Sequence, residues 1–227
     1  MNIYDICPNV KKAVFLAKRQ LPELVTDAVN LEGIKISLPE VQTLLEGISI
    51  GGHKILDVTI AVNQVNAWRF LLHSVEKAQF ILDKDFCNKL HAIAAQNEAL
   101  EWGVFRSRMV TISGAGYRPP VPNELDTAWN SMVAQAEEIE GIVEKSIYVF
   151  LQMSRNKFYF NVNRRMGHFM MNGILLSNGY PATNVPAKRQ SEFNKLMIDF
   201  YPSNDMQPMM KFMVSCMSEF NIEFMSQ

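Results

Sequence analysis

Cationic and amide side chains cluster between residues 157 and 168, in the sequence KFYFNVNRRMGH. Lys157, Arg164 and Arg165 can each bind an anion, and the planar guanidinium of arginine matches a phosphate group in a bidentate way. Asn163 adds an amide that can donate hydrogen bonds to oxygen. These residue types at this spacing predict a site for a phosphate or another anion.

Two apolar segments flank this stretch, residues 142–156 before it and residues 169–176 after it. We expect both segments to be buried helices joined by a polar loop. A loop that opens a helix offers unpaired backbone N–H groups and the positive end of the helix dipole, which strengthens the prediction of an anion site. The alternative is a helical core with no site, in which Arg164 and Arg165 are a solvated pair.

The stretch resembles the active-site motif of the Fic-domain (Fic/Doc) family, H-P-F-x-D/E-G-N-G-R-x-x-R. Asn163 and Arg165 keep the family's residue types. Lys157 falls at the catalytic histidine of the family, Asn161 at the metal-binding acidic residue and His168 at the last arginine. The resemblance therefore implies a degenerate active site.

Residues 102–122 change character, because Val, Phe, Thr and Ile alternate with polar residues before a turn rich in Gly and Pro. This pattern predicts a short β-hairpin or an extended flap. The segment is similar to the Fic flap, G-x-F/Y-R-x-x-x-V-x-I-x-G followed by Y-x-P-P. In that family the flap holds a segment of the target protein by strand addition. The resemblance implies a protein partner docked at Phe105, Arg106, Val110 and Ile112; a surface hairpin without a ligand is the alternative. Nine positions agree: Gly103, Phe105, Arg106, Val110, Ile112, Gly114, Tyr117, Pro119 and Pro120.

Residues 28–37 resemble the inhibitory helix of many Fic proteins, which ends S/T-x-x-x-E-G/N. Glu32 falls at the inhibitory glutamate, and Gly33 reads as a helix C-cap. In the family this glutamate pairs with the last arginine of the motif and blocks the γ-phosphate of the nucleotide. Ala28 and His168 depart from the pattern, so the resemblance implies an altered inhibitory contact. A solvated carboxylate at a helix end is the alternative for Glu32.

Helical periodicity dominates the remaining sequence, and the resemblance runs from about residue 28 to residue 215. We expect one mostly α-helical domain over residues 1–227, a Fic-type helical bundle with one β-hairpin flap at 102–122 and a motif loop at 157–168. Ser37 and Glu40 predict a capping box. The other predicted helices are 9–30 with a kink or break at Pro22, 38–46, 55–80, 83–96, 123–139, 187–200 and 204–225.

Composition limits the class of protein. Apolar residues make up 48% and charged residues 20% of the 227, which is typical of a globular protein with a core. A net charge of −1 argues against nucleic acid or a membrane surface as the partner. The three widely spaced cysteines favour a reducing compartment, and the N-terminus lacks the pattern of a secretion signal. We therefore expect a cytoplasmic protein, for which a homodimer stays open.

Most Fic enzymes transfer AMP from ATP to a hydroxyl of a protein, with the histidine as general base and Mg²⁺ between the phosphates. Lys157 could replace that base only if its pKa fell by about three units from the usual value of about 10.4. Asn161 offers Mg²⁺ no charged oxygen, so metal binding should weaken. Val162 and Arg164 replace two glycines, which implies strain if those positions need a positive φ.

Three functions remain open. The first, which we prefer because the base and the metal-binding acid are both replaced, is a degenerate Fic protein that binds a protein partner or a nucleotide such as ATP. Its phosphate-binding residues would be Asn163, Arg164, Arg165 and His168. The second is an active transferase with altered chemistry or substrate. The third is a non-catalytic interaction domain with an inert motif loop.

Overall fold

The computed structural model describes residues 3–227, and within this range the chain is helical with no β-strand. The prediction of a mostly α-helical protein is therefore confirmed. Short 3₁₀ turns lie at Ile3–Asp5, Pro122–Glu124 and Ala187–Arg189. The α-helices are α1 (Val10–Arg19), α2 (Leu21–Leu31), α3 (Leu38–Leu45), α4 (Ile55–Glu76), α5 (Lys84–Ala94), α6 (Leu125–Glu137), α7 (Ile142–Asn156), α8 (Asn163–Ser177), α9 (Gln190–Ser203), α10 (Gln207–Ser215) and α11 (Glu219–Met225).

Local sequence signals explain most of the helix ends. Pro22 occupies the first turn of α2, so the predicted break between α1 and α2 is confirmed. The carboxylate of Glu40 accepts hydrogen bonds from the backbone N–H and the hydroxyl of Ser37, at 2.8 and 2.6 Å, as expected at the start of α3. The single helix predicted over 204–225 is wrong, because Ser218 starts α11 by accepting a hydrogen bond from the backbone N–H of Asn221.

Helices α7 and α8 form the centre of the fold, and α4 packs against α8 while contacting α1, α2, α3 and α5. Trp68 of α4 meets Phe169 of α8 edge to face, with ring centroids 5.5 Å apart. Gly167 permits the close approach of α7 and α8, because a Cβ atom there would lie 2.9 Å from the carbonyl oxygen of Phe150. The loop between these two helices is thereby fixed at one end of a tightly packed pair.

The β-hairpin predicted for residues 102–122 is wrong, because this segment is irregular throughout. Arg106 gives the physical reason. Its backbone N–H donates to the carbonyl of Phe158 at 2.9 Å, so this N–H pairs with the motif loop and not with a second strand of the same segment. Its buried guanidinium donates to the carbonyls of Lys157, Arg108 and Pro120 at 2.6, 2.8 and 2.5 Å. One arginine therefore shapes this segment, which we continue to call the flap.

Two further structural findings concern the cysteines and the possibility of a membrane span. The three cysteines are free thiols, with Cys7 exposed, Cys87 buried and Cys216 in between. Across residues 3–227, none of the helices combines the length and apolar character needed to cross a bilayer.

Candidate functional site

The part of the motif loop that joins α7 to α8, residues 157–162, begins and ends with a residue in the left-handed conformation. Lys157 caps the C-terminus of α7 at φ 52°, and its N–H donates to the carbonyl of Met153 at 3.2 Å. Val162 precedes α8 at φ 64°. The left-handed conformation costs an L-residue about 1–2 kcal/mol, and a β-branched side chain makes it a true outlier. The strain expected from the first glycine replacement is thus present at Val162, whereas Arg164 lies within α8 and has none.

Amide side chains hold the interior of the loop. The Asn163 side chain accepts from the backbone N–H of Tyr159 at 2.9 Å and donates to the carbonyl of the same residue at 2.8 Å. The side-chain oxygen of Asn161 accepts from the backbone N–H of Val162 at 2.9 Å. Both amides are engaged within the loop, so the side chain of Asn163, a predicted phosphate ligand, already has its partners in the loop.

A cavity of about 420 Å³ opens beside this loop, and we call it the motif cavity. Its volume lies in the range of small-molecule sites. Its walls are Lys157 and residues 160–164, the flap residues 110–113, Glu32, and one face of α9. The structure therefore brings together the end of α2, the flap and the motif loop, which are far apart in the sequence and which each resemble a functional segment of the Fic family.

Lys157 lines the motif cavity, and its Nζ lies 5.7 Å from the centre of the ring of Tyr201, which lines the same cavity. Burial, and to a smaller extent the nearby positive charge of Arg164, lower the pKa of Lys157 to about 8 against the opposing effect of Glu32. A substantial fraction of this amine is therefore neutral near pH 8. The depression that Lys157 would need to act as a base is largely supplied by the fold.

Arg164 is the cation that faces the motif cavity from α8, and it is paired with Glu32. Its Nη2 atom lies 3.3 Å from Oε1 of Glu32, and its Nη1 donates to the side-chain oxygen of Asn194 at 3.2 Å. Both charged side chains are 27% exposed. Glu32 at the end of α2 therefore reaches the motif through Arg164, not through an ion pair with His168 as the resemblance would place it.

Arg165 points away from the motif cavity and forms a bidentate ion pair with Glu98. The Nη1–Oε2 distance is 2.9 Å, and both side chains are only 5% exposed. Oε1 of Glu98 also accepts from the side-chain nitrogen of Asn161 at 3.1 Å. The guanidinium of Arg165, a predicted phosphate ligand, is thus engaged in a buried ion pair, and this pair is linked to the loop through Asn161.

His168 lies in the core between Phe150 and Phe193, at ring-centroid distances of 4.3 and 6.2 Å. Neither ring nitrogen has a hydrogen-bond partner among the described residues. Burial, with a smaller contribution from the charge of Arg164, lowers the pKa of His168 to about 3, so the ring is neutral. A separate small cavity of about 20 Å³, which is enough for one water molecule, lies between His168, Glu32 and Gln64. The structure does not bring His168 into the motif cavity.

The predicted docking residues of the flap fall into two groups. Phe105 stacks against Phe158 at 5.1 Å between ring centroids, and Arg106 is buried, so both hold the flap in place. Val110 and Ile112 instead line the motif cavity. The first group therefore belongs to the packing of the flap, and only the second group reaches the cavity.

The residues at the position of the family's metal-binding acid do not fit Mg²⁺. Asn161 is neutral, and its carbonyl oxygen already accepts a hydrogen bond from Val162. The nearest carboxylate, Glu98, is neutralised by its pairing with Arg165. In the described part of the chain, no group of three or more His, Cys, Asp or Glu residues is arranged to hold a metal.

Three residues that shape the site were missed by the sequence analysis. Glu98 fixes Asn161 and Arg165, Asn194 binds Arg164, and Tyr201 faces Lys157 across the motif cavity. Glu98 follows α5 in a short turn, and the other two lie in α9. None belongs to a motif with regular spacing, so only the tertiary arrangement identifies them.

Comparison with known proteins was made by sequence and by structure, and no family model matches the chain. Protein adenylyltransferase Fic of Drosophila persimilis is 23% identical over 200 residues, covering 83% of this chain and 38% of the relative. The corresponding protein of Drosophila erecta is 24% identical over the same share of this chain and 39% of its own length. The chain thus spans about two fifths of the curated relatives it matches.

Solved structures give the stronger similarity. Residues 134–508 of Fic-1 from C. elegans superpose with a TM-score of 0.78 at 17% identity, covering 92% of this chain and 64% of that one. A Fic domain containing signaling protein from Bacteroides thetaiotaomicron gives a TM-score of 0.77 at 17% identity, covering 96% and 88% of the two chains. The resemblance to Fic proteins is confirmed at the level of the fold, because the helical architecture is shared.

Proposed function

Because this chain is a protein of the Fic fold, we propose that it binds a nucleotide, with ATP as the first candidate, by its phosphates in the motif cavity. The observation that carries the proposal is that Lys157, at the end of α7, and Arg164, in the first turn of α8, line the same cavity of about 420 Å³. Two cations and a helix N-terminus around one cavity favour a polyanion of this size.

The phosphate contacts differ from those that the resemblance implies. The first backbone N–H groups of α8 have no partner within the helix and face an anion with the positive end of the dipole. Arg164 can contribute a bidentate contact, and Lys157 a further positive charge when it is protonated. Arg165, His168 and the Asn163 side chain take part only by supporting the loop. The proposed site therefore rests on fewer side chains than the family motif.

Glu32 competes with the nucleotide for Arg164 in this proposal. A phosphate can take the bidentate face of the guanidinium only if the contact at 3.3 Å between Arg164 and Glu32 opens. A partly exposed ion pair of this kind is worth up to about 1 kcal/mol. The end of α2 would thus lower nucleotide affinity by up to about fivefold, which is a weak form of the inhibition that the resemblance implies.

The test is calorimetric titration with ATP and ADP, with and without Mg²⁺. We expect Arg164→Ala to weaken binding about 10- to 100-fold, since a lost charge-assisted hydrogen bond costs about 1.5–3 kcal/mol. Glu32→Gln should strengthen binding up to about fivefold. Lys211→Ala, a matched loss of an exposed cation on α10, should change nothing. Absence of binding at millimolar nucleotide, in both the unchanged chain and Glu32→Gln, would overturn the proposal.

A second candidate function is transfer of AMP to a protein hydroxyl, the activity named for the Drosophila relatives. The specific observation in its favour is the pKa of Lys157, which is lowered to about 8 and makes a neutral amine available at the family's base position. Transfer of a labelled AMP group from ATP to proteins of a cell extract tests this function. Label that persists in Lys157→Arg would count against a role for the amine.

A protein partner at the flap is the third element of the proposal. Val104 and Met109 are 50% and 54% exposed and lie on the flap, next to the Val110 and Ile112 that reach the motif cavity. Exposed apolar side chains at the entrance of a site favour protein contact over nucleic acid. Ser substitutions at Val104 and Met109 should reduce crosslinking to a target without changing nucleotide affinity. Sedimentation of the same samples would decide whether the partner is a second copy in a homodimer.

A further inference from the structure

Lys157 is the one lysine among the described residues that lines the motif cavity. It follows α7 as its C-cap, and its carbonyl accepts a hydrogen bond from Nε of Arg106 at 2.6 Å. The side chain therefore leaves a rigidly held backbone. Its amine also lies farther from the backbone than an imidazole nitrogen at the same position would, because lysine has four methylene groups. The amine is carried toward the place where the phosphates of a ligand would lie.

The surroundings of the amine match those of a nucleophile. Its cavity neighbours with charge or a titratable group are Arg164, Glu32 and Tyr201. Burial raises the pKa of Tyr201 to about 12, so this phenol stays neutral and does not pair with the amine as an anion. Glu32 is already paired with Arg164. No carboxylate is committed to Lys157, which leaves the nitrogen lone pair available whenever the amine is neutral.

We propose that Lys157 is a covalent nucleophile that takes the nucleotidyl group of the bound nucleoside triphosphate onto its Nζ atom. This inference rests on the nucleotide binding proposed above. It differs from the base role at the same position, because an amine that attacks phosphorus becomes part of an intermediate, whereas a base only removes a proton from the acceptor.

The step balances as a substitution at the α-phosphorus. The lone pair of neutral Nζ forms an N–P bond, the bond from the α-phosphorus to the bridging oxygen of the β-phosphate breaks, and pyrophosphate leaves with that electron pair. The amine proton is released to water, which reaches the cavity past the exposed Thr111 and Ser113. In the second half, a hydroxyl oxygen of a protein or of water attacks the same phosphorus, the N–P bond breaks and Nζ recovers a proton.

Arg164 is the residue that would stabilise the first half of this reaction. Its guanidinium lies at the start of α8 and can hold the pyrophosphate as charge develops on the leaving oxygen. The ion pair between Arg164 and Glu32 must then be broken, so the covalent step and nucleotide binding have the same requirement. Glu32→Gln is therefore expected to increase adduct formation along with binding.

The experiment incubates the full chain with ATP labelled at the α-phosphate, with Mg²⁺, and analyses it by intact mass and by acid treatment. We expect one AMP group per chain, attached at Lys157 through a bond that is acid-labile and alkali-stable, as a phosphoramidate is. An adduct on a hydroxyl would survive acid. Lys157→Arg keeps the positive charge without a usable nucleophile and should reduce the label to background while ATP still binds.

An adduct that hydrolyses quickly is detected in a second assay, the exchange of labelled pyrophosphate into ATP, which runs the first half backward. Because the pKa of Lys157 is about 8, exchange should rise about tenfold between about pH 7 and about pH 9. Bound ATP with neither label nor exchange would overturn the inference and leave nucleotide binding intact. Acid-stable label, or exchange that persists in Lys157→Arg, would also overturn it. Failure of ATP to bind at all would remove the proposed function as well.

Discussion

Removing one partner of the Glu98–Arg165 pair should destabilise the protein strongly. Both side chains are 5% exposed, and Arg165 holds Glu98 with two hydrogen bonds. In Glu98→Leu the guanidinium stays buried without a counter-charge. Breaking a buried ion pair in this way costs about 3–5 kcal/mol. For a chain of this length each kcal/mol shifts Tm by about 2–4 °C, so we expect a fall of about 6–20 °C.

The matched control replaces both partners. Glu98→Leu combined with Arg165→Met leaves no buried charge and fills a similar volume, so its free energy of unfolding should return to within about 1 kcal/mol of the original or exceed it. Arg165→Met alone should resemble Glu98→Leu alone. Urea titration of the four proteins gives the coupling energy of the pair as a double-mutant cycle.

The same set of variants separates a structural role of Arg165 from phosphate binding. Because its guanidinium points away from the motif cavity, the double variant should bind ATP within about twofold of the original affinity. Two results would refute the reasoning. One is a stability loss below about 1 kcal/mol in both single variants, and the other is loss of ATP binding in a double variant that is fully folded.

Three further predictions concern single residues of the motif. His168→Leu should raise the free energy of unfolding by about 1–3 kcal/mol at neutral pH, because it removes unpaired buried ring nitrogens. Since the pKa of His168 falls from 6.5 to about 3 on folding, the unfolded state binds the proton first and stability declines as pH falls from about 6.5 toward 3; His168→Leu should flatten this decline in urea titrations. Lys157→Met should stabilise by on the order of 2–3 kcal/mol at pH 7, and the gain should shrink as pH rises from about 8 to about 10.5, where the unfolded state also loses the proton. Val162→Gly should be more stable than Val162→Ala by about 1 kcal/mol in thermal melts, because only glycine relaxes the φ of 64°; equal stability would show that the turn is not strained.

Apolar periodicity and capping residues were enough to predict most helices, because these signals act over a few neighbouring residues. Ser37 with Glu40 and Asp83 mark helix starts where the structure has them, the latter by accepting from the backbone N–H of Phe86 at 2.6 Å. The prediction of a β-hairpin for the flap was wrong for the opposite reason. Its alternating pattern is typical of a hairpin, yet the backbone N–H and Nε of Arg106 donate to Phe158 and Lys157, some 50 residues away along the chain. A tertiary contact overrode the local preference.

The candidate site was predictable in place but not in detail. The resemblance to the Fic family put Lys157, Arg164 and Glu32 in functional segments, and the structure brings all three to one cavity. The sequence could not show that the two adjacent arginines point in different directions. On a helix, neighbouring residues are about 100° apart, so Arg164 reaches the cavity while Arg165 turns into the core toward Glu98. Which of the two is buried depends on the packing of α8 against other helices, and a motif carries no record of it.

Anchoring the flap by Arg106 has a consequence for how such a protein can diversify. A strand ladder ties the path of a segment to the pairing of every residue along it, so changes of register disturb the whole. Here the path is set by the guanidinium contacts to three carbonyls and by the bond between Arg106 and Phe158. The exposed positions between these anchors take part in no strand pairing. Their side chains can therefore differ from one related chain to another while the segment keeps its path and Lys157 keeps its position.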